Sequence, residues 1–474
     1  MLQLALTYQL ARQIEVMKKI GIWVLTLFCL TAFLNAPASA AVKAGATCSK
    51  AGTTNTSAGK KFTCVKSGKK LVWNKGVVII SSTPTQAPTP NQSGAPEELP
   101  VVSLASDFIS ASECKLNKAG NNPDLYTGFP RERKYIPATG DRKSIVLFVD
   151  FPDLPADQRA ITAWKQTQVP WAEKAFAAMS YGRYKLKYEL QEKFYRISTP
   201  YGAYIKSEAG NAPGSIPAQA LETNKLLTDA IVEADPDIDF SKYDFVNVVT
   251  PTFKPKTEGG ASGGQGFSAD GRTSFLATLG PIDEYLDDST KKNWLLHETG
   301  HLLGLNHIYA GARGPAGWDV MGNVFGMDDF LGFNKYFLGW IEENQVNCIS
   351  ASSSKESIHL LTPVGTTSTG TKIAMIKISQ SNGVVVELRR KTELDNLSEA
   401  NSGVIVYTLD TSIPDNQGAI NIVSNPTKFG SDTRKNRVLL GTMGVGESTI
   451  TNGFKIKVIK SVTAGAYVSI SKAN

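Results

Sequence analysis

The chain has 474 residues, of which 42% are hydrophobic and 20% charged, a composition typical of a globular protein. Its length exceeds what one hydrophobic core usually organises, so two or three folded units are expected. The formal net charge is +7 at pH 7. Lysines interleave with polar residues rather than forming one long basic block, which favours a solvated surface and does not indicate a nucleic-acid partner.

Residues 1–40 have the pattern of a secretory signal peptide, with Met17 as the expected start. A short basic region at residues 17–19 precedes an apolar stretch at residues 20–34 and a small-residue cleavage site at residues 38–40. A membrane anchor is the alternative, but the apolar stretch is short for a span. We therefore expect a secreted or cell-envelope protein whose mature chain does not span a membrane.

Removal of the signal peptide leaves Cys48, Cys64, Cys114 and Cys348, an even number of cysteines in a chain bound for an oxidising compartment. Four cysteines allow three pairings. Closeness in sequence favours Cys48 with Cys64, which leaves Cys114 with Cys348. In the alternative, the Cys114 thiolate binds a metal ion as a latency switch.

Residues 41–80 predict a small module of short strands stapled by Cys48 and Cys64, because so short a segment needs a staple to fold. Its role is either association with the cell envelope or that of a plain spacer. Residues 81–100 are rich in Pro, Ser and Thr and predict an extended linker.

Residues 101–347 carry alternating strand and helix signals, which predict an α/β (α+β) domain. Residues 101–140 either belong to this domain or act as a propeptide. The predicted elements are strands at residues 145–149, 245–249 and 267–279, helices at residues 164–179 and 218–234, and a glycine-rich loop at residues 259–266.

Residues 348–474 predict an all-β domain of the sandwich type, because short apolar or alternating segments rich in β-branched residues are separated by Gly, Asn, Asp and Pro. The predicted strands cover residues 372–378, 384–388, 404–409, 454–459 and 466–470.

A metal-ligand pattern lies near the end of the α/β region. His297 and His301 are four residues apart, so on a helix they lie on one face and can reach one ion. Glu298 is displaced around the helix, where its carboxylate can reach a metal-bound water without being a ligand. Gly304 permits a sharp turn that returns His307 as a third ligand. Three ligands leave a fourth position open, which is typical of a catalytic zinc site.

Three of the four histidines of the chain fall in this pattern. A helix whose histidines only pack is the alternative, and the extended pattern His-Glu-x-x-His-x-x-Gly-x-x-His argues against it. The fourth, His359, is expected to be a strand residue. One Zn²⁺ would activate a water molecule, and Glu298 is the expected general base for hydrolysis of peptide bonds in protein or peptide substrates.

A calcium site is a weaker hypothesis. The acidic residues 235–239 could offer carboxylate oxygens to Ca²⁺. The segment lacks the full spacing of a calcium loop, and a solvated turn is the more usual structure for such a run.

The pattern of His297, Glu298, His301, Gly304 and His307, followed by Met321, resembles the metzincin metalloproteases. The resemblance implies a zincin-type catalytic domain in which a methionine turn forms an apolar floor below the metal. Residues 318–322 fit that turn, and Met327 is the rival to Met321.

Short motifs follow one another in a characteristic order at residues 180–186, 240–244, 318–322, 335–340, 386–390 and 403–407. Their order resembles that of the immune inhibitor A family of secreted bacterial metallopeptidases. The similarity covers most of residues 140–345 and extends into the β-rich region. That family commonly places Asp where this chain has His307, and either residue can bind zinc.

A function of another class is a secreted or envelope-associated binding or adhesion protein with a vestigial metal site. In that protein the β-rich regions would carry the activity. The presence of Glu298 argues against it, because a site that only binds metal needs no base there.

Overall fold

The structure is a computed structural model that contains two compact units, Met1–Glu97 and Glu98–Asn474. The predicted signal peptide, most of the predicted linker, the glycine-rich loop and Met327 lie outside the described residues. The structure describes residues 43–57, 60–78, 98–119, 127–208, 218–252, 267–282, 286, 292–308, 317–324, 328–395, 397, 399–414, 417–425 and 441–473.

The first unit is a small antiparallel sheet held by the Cys48–Cys64 disulfide, as predicted. Phe62 and Cys64, which lie two residues apart on the second strand, are buried. The strands are β1 (Thr54–Ser57), β2 (Lys60–Ser67), β3 (Lys70–Trp73) and β4 (Val77–Val78), in the order β1-β2-β3 with β4 also paired to β2.

The second unit is a mixed α/β structure with several sheets and few helices, which confirms the broad fold class. Its N-terminal part contains strands β5 (Gly140–Asp150), β6 (Tyr184–Arg196), β7 (Ile205–Glu208), β8 (Ala218–Leu221), β9 (Phe245–Thr250), β10 (Phe267–Ala269) and β11 (Arg272–Pro281). Its helices are α1 (Arg159–Ala163), α2 (Val169–Met179), α3 (Thr223–Ala234), α4 (Trp294–Leu302) and α5 (Gly332–Phe337). A π-helical turn, Trp164–Gln168, joins α1 to α2.

The first sheet of this unit has the order β10-β11-β9-β5-β6, with all pairs parallel except β10 with β11. Successive side chains of β5 enter two different cores. Val146 and Phe148 pack with residues of α2 and α4, whereas Ile145 and Leu147 pack with residues of α3. Burial on both faces explains why the sequence of β5 is continuously apolar rather than alternating.

Two sequence predictions need correction. The segment predicted as a helix at residues 218–234 begins with β8, which pairs with β7, and becomes helical only at Thr223. The segment predicted as one strand at residues 267–279 forms β10 and β11, joined by Asp270-Gly271 with φ of 49° and 72°. Asp-Gly readily adopts such positive φ values, so the turn divides an otherwise strand-like run.

The C-terminal part contains two further sheets, ordered β12-β14-β15-β16-β17 and β13-β20-β19-β18. One hydrophobic cluster contains residues from both sheets, among them Ile376, Val386 and Val406 from one and Ile456 and Val468 from the other. The strands are β12 (Val346–Ser350), β13 (Ser357–Leu361), β14 (Ile373–Lys377), β15 (Asn382–Arg389), β16 (Gly403–Asp410), β17 (Ile420–Ile422), β18 (Ser448–Thr451), β19 (Phe454–Val462) and β20 (Gly465–Lys472).

The Cys114–Cys348 disulfide forms as predicted and links positions 234 residues apart in sequence. The predicted boundary at residues 347/348 stays a prediction, because residues 98–474 form one compact unit. A single hydrophobic core includes Phe176 and Trp318 before the boundary and Ile405 and Tyr407 after it. Within the described parts of the chain, no helix is long and apolar enough to cross a membrane.

Candidate metal centre

Helix α4 carries the first two predicted ligands and is almost entirely buried. Asn293, immediately before the helix, accepts a hydrogen bond from Trp171 Nε1 at 2.9 Å and donates from its amide to the Val324 carbonyl at 3.0 Å. These contacts fix the start of α4 against two other segments. Packing on both sides then determines which way His297 and His301 point.

The C-terminal end of α4 turns sharply at Gly304, whose φ is 94°. The N–H of Gly304 donates to His301 O, and the N–H of Leu305 donates to Gly300 O, both at 2.9 Å. This pair of bonds is a Schellman motif, which satisfies the last carbonyls of the helix and needs a residue tolerant of positive φ. The turn redirects the chain so that His307 approaches the helix that it has just left.

The three predicted ligands come together. His301 Nε2 lies 3.2 Å from His297 Nε2 and 3.1 Å from His307 Nε2. In a tetrahedral site with metal–nitrogen bonds of about 2.0–2.1 Å, two ligand nitrogens lie roughly 3.3 Å apart. The two distances from His301 match that spacing, and the ligand atoms of all three histidines lie within 4.8 Å of one another. Among the described residues, this is the group of His, Cys, Asp and Glu side chains that could hold a metal ion.

Backbone carbonyls fix the protonation of two of these rings. His297 Nδ1 lies 2.9 Å from Val320 O, and His301 Nδ1 lies 2.8 Å from Leu305 O. A carbonyl oxygen can only accept, so Nδ1 carries the hydrogen in both rings. In the neutral imidazole, Nε2 then presents a lone pair, which is the form that binds a metal.

With Nδ1 protonated in both rings, the unprotonated Nε2 atoms of His297 and His301 lie 3.2 Å apart, and a cation bound by both nitrogens would offset the repulsion between their lone pairs. The donor set therefore fits a bound metal ion. Burial is the main cause that holds the pKa of His301 well below its usual value, and electrostatic repulsion from His297 and His307 adds to it. The lowered pKa further favours the neutral form, which binds a metal.

Met321 lies against the middle of α4. A Cβ atom at Gly300 would overlap the Met321 sulfur, so only glycine leaves room for this side chain. Met321 is fully buried. The preceding residue, Val320, supplies the carbonyl that orients His297, so one short segment both supports the helix and positions a ligand.

Asp319 organises that segment. Its carboxylate accepts hydrogen bonds from the N–H groups of Met321 at 2.8 Å and Leu331 at 2.7 Å, and from the Asn334 amide at 2.9 Å. Burial raises the pKa of Asp319 to about 6, and these hydrogen bonds oppose the rise. Asp319 was not among the predicted site residues. An acidic residue two positions before Met321 in an otherwise apolar segment is the signal that indicates it.

Glu298 is 4% exposed and follows His297 on α4. The next residue, Thr299, meets the hydroxyl of Tyr188 at 3.0 Å, which ties the helix to β6. The predicted general base is thus held on a helix that is fixed from several directions. Glu298 is shielded from bulk water.

A buried charged cluster on β15 and the following loop supports the methionine segment from the other side, and sequence reasoning missed its role. Arg389 donates to Trp318 O at 3.1 Å and to Phe330 O at 3.3 Å, and it pairs with Glu387 and Asp395. The side chains of all three charged residues are fully buried. Charged residues at inward positions of an apolar strand are the sequence signal for such a cluster.

The remaining candidate metal ligands lie away from this site or are bonded to other residues. His359 is fully buried on β13, between Ser357 and Asn347, as expected of a strand residue. Cys114 is bonded to Cys348, so its sulfur is not a thiolate available to a metal. Asp237 and Asp239 form ion pairs with lysines at the surface, and no calcium-type cluster is found among the described residues.

Comparison with protein-family models gives no matching family, and comparison with curated proteins gives no match. The positions and contacts of the site residues are therefore the basis for proposing their chemical roles.

Proposed function

We propose that this chain is a secreted zinc-dependent endopeptidase in which His297, His301 and His307 hold the zinc ion. The observation that carries the proposal is the convergence of three imidazole Nε2 atoms, two of them fixed as lone-pair donors by backbone carbonyls. An all-histidine set of three ligands is found in catalytic zinc sites, where the fourth position is kept for water.

Zinc bound there would lower the pKa of a water ligand and polarise the carbonyl of a peptide bond. The chain's own residues would do the rest. The carboxylate of Glu298 would accept a proton from the attacking water and later return it to the leaving amine. The carbonyls of Val320 and Leu305 would keep two ligand rings oriented throughout.

Within this class, we propose a metzincin-type enzyme similar to the immune inhibitor A metallopeptidases. The position of Met321 beneath Gly300 supports this assignment, since the resemblance implies a methionine floor at that place. The proposed architecture is a zincin-type catalytic domain followed by a β-sandwich domain. The shared cluster between the two C-terminal sheets supports the second part.

Zymography of the purified protein on gelatin or casein, with and without a zinc chelator, tests the proposal. We expect clearing that disappears with the chelator and returns with added Zn²⁺. Glu298→Gln, loaded with zinc, is the matched control and should give no clearing. Absence of clearing at any pH, with zinc stoichiometrically bound, would instead favour the binding or adhesion protein with a vestigial site.

A further inference from the structure

The positive charge of this protein is concentrated in residues 41–78, which lie in its first unit. Residues 41–78 contain eight lysines and no Asp, Glu, Arg or His, which gives this segment a charge of +8. The lysines are Lys43, Lys50, Lys60, Lys61, Lys66, Lys69, Lys70 and Lys75.

The remainder of the chain has no excess of positive charge. Residues 1–40 have a net charge of +2, from Arg12, Lys18 and Lys19 against Glu15. Since the whole chain has +7, residues 41–78 account for +8 and residues 1–40 for +2, residues 79–474 have a net charge of −3. Such an asymmetry between two folded units indicates different partners for each.

All eight lysines of residues 41–78 are exposed. In unit 2 many lysines form ion pairs, such as Lys193 with Asp237 and Lys355 with Asp107. Within residues 41–78 there is no acidic side chain for a lysine to pair with. Their mutual repulsion opposes folding of the unit, and the Cys48–Cys64 disulfide offsets it.

The lysines occupy both faces of the sheet. Lys60 and Lys61 are adjacent on β2, so their side chains point to opposite faces. Lys70 pairs with Ser67 and therefore shares the face of Lys61, whereas Lys66 shares the face of Lys60. A flat membrane can meet only one face at a time, but a flexible linear chain of negative charges can follow both.

The type of side chain that carries this charge indicates the chemical class of ligand that this surface can bind. Lysine is a hydrated point charge without the bidentate geometry of arginine. The two aromatic residues of the segment 41–78 are not displayed for base stacking, because Phe62 is buried and Trp73 is half-buried. The surface therefore suits repeated negative groups rather than bases.

We propose that the first unit binds a linear, phosphate-bearing polyanion of the cell surface and so anchors the protein there. Binding depends on the summed charge of the lysines on both faces, without recognition of a base or a lipid tail. This role is independent of the metal centre and of the proposed proteolytic activity.

The test uses the exported chain, residues 41–474, and the fluorescence anisotropy of end-labelled inorganic polyphosphate across a series of NaCl concentrations. We expect affinity that falls steeply with salt. Lys60→Gln/Lys66→Gln and Lys61→Gln/Lys70→Gln should each weaken binding on the order of ten-fold. Zinc chelation should leave binding unchanged, which separates this inference from the proposed enzyme.

Two sets of variants control for fold and for general charge. Lys60→Arg/Lys66→Arg keeps the charge and should retain binding, and the intact mass of each variant should confirm the disulfide. Lys455→Gln/Lys457→Gln removes two exposed lysines from β19 and should have no effect.

Three results would overturn the inference. The first is polyphosphate binding that is absent or insensitive to salt, and the second is an equal loss of affinity in the β19 control. The third is a loss of affinity in the variant of only one face, together with tighter binding to phosphatidylglycerol vesicles than to polyphosphate. Single-stranded DNA bound much more tightly than polyphosphate of equal charge would overturn it in favour of nucleic acid.

Discussion

Met321 packs its sulfur directly against the backbone of Gly300, in the turn of α4 that lies between Glu298 and His301. The contact holds the helix that carries Glu298 and His301 against the loop that contains Met321. The same loop orients His297, because Val320 O lies 2.9 Å from His297 Nδ1. A change at either residue therefore alters the relative position of helix and loop.

Gly300→Ala should destabilise the protein and weaken its metal binding, because the added methyl group overlaps Met321. Overpacking of a closed core costs about 1–3 kcal/mol. Chemical denaturation and zinc titration measure both effects. In a Met321→Ala background the same substitution should cost clearly less, and an equal cost in both backgrounds would show that the contact does not constrain the site.

Glu298→Gln should retain one zinc per chain and lose roughly 10²–10⁴-fold in peptide hydrolysis. Glutamine keeps the shape of the side chain but cannot accept the proton. Metal analysis and kinetics on a fluorogenic peptide give the two readouts. Full activity in this variant would refute the role of Glu298 as general base.

Removal of the Cys114–Cys348 disulfide should lower the free energy of unfolding by about 2–5 kcal/mol, since it closes a loop of 234 residues. The double variant Cys114→Ala/Cys348→Ala is the appropriate form, because it leaves no free thiol. Cys48→Ala/Cys64→Ala is the control and should leave the unfolding of the second unit unchanged. A larger loss of stability of the second unit in Cys48→Ala/Cys64→Ala than in Cys114→Ala/Cys348→Ala would contradict the prediction.

Lys372 should make stability depend on pH above neutrality. Its side chain is buried and donates to Pro363 O and Ser368 Oγ, both at 2.8 Å. Burial, together with the charge of Lys335, lowers the pKa of Lys372 to about 7, and Asp329 opposes the shift.

In the unfolded chain this lysine regains its usual pKa of 10.5 and binds its proton more tightly than in the folded protein. Stability therefore rises with pH between about 7 and 10, by up to ~1.4 kcal/mol per pH unit from this group. Lys372→Met should remove that contribution. Urea unfolding of both proteins from pH 7 to 9.5 measures the difference, and parallel pH profiles would contradict the prediction.

The elements with a strong sequence pattern were predictable, and those decided by pairing or turn chemistry were less so. The apolar run of β5 and the strands after Cys348 have the period or composition that burial requires, and the structure places strands there. The β10–β11 hairpin was predicted as one strand because Asp270-Gly271 interrupts a segment that is β-like on both sides. Residues 218–221 become a strand through pairing with β7, which no local pattern in that segment reveals.

At the candidate site, the spacing of His297, His301 and His307 was enough to predict that they meet, because helix geometry and Gly304 determine the path between them. The supporting groups were not predictable in the same way. Arg389 reaches Trp318 from 71 residues away, and the carbonyls that orient the rings belong to backbone whose position depends on the whole fold.

The most direct test of the proposed centre is zinc K-edge X-ray absorption of the purified, zinc-loaded protein and its His307→Ala variant. We predict three imidazole nitrogens at about 2.0–2.1 Å with one further oxygen ligand, and the loss of one imidazole in the variant. A zinc ion bound by fewer than three imidazoles, a sulfur ligand at about 2.3 Å, or a spectrum unchanged by His307→Ala would contradict the central claim.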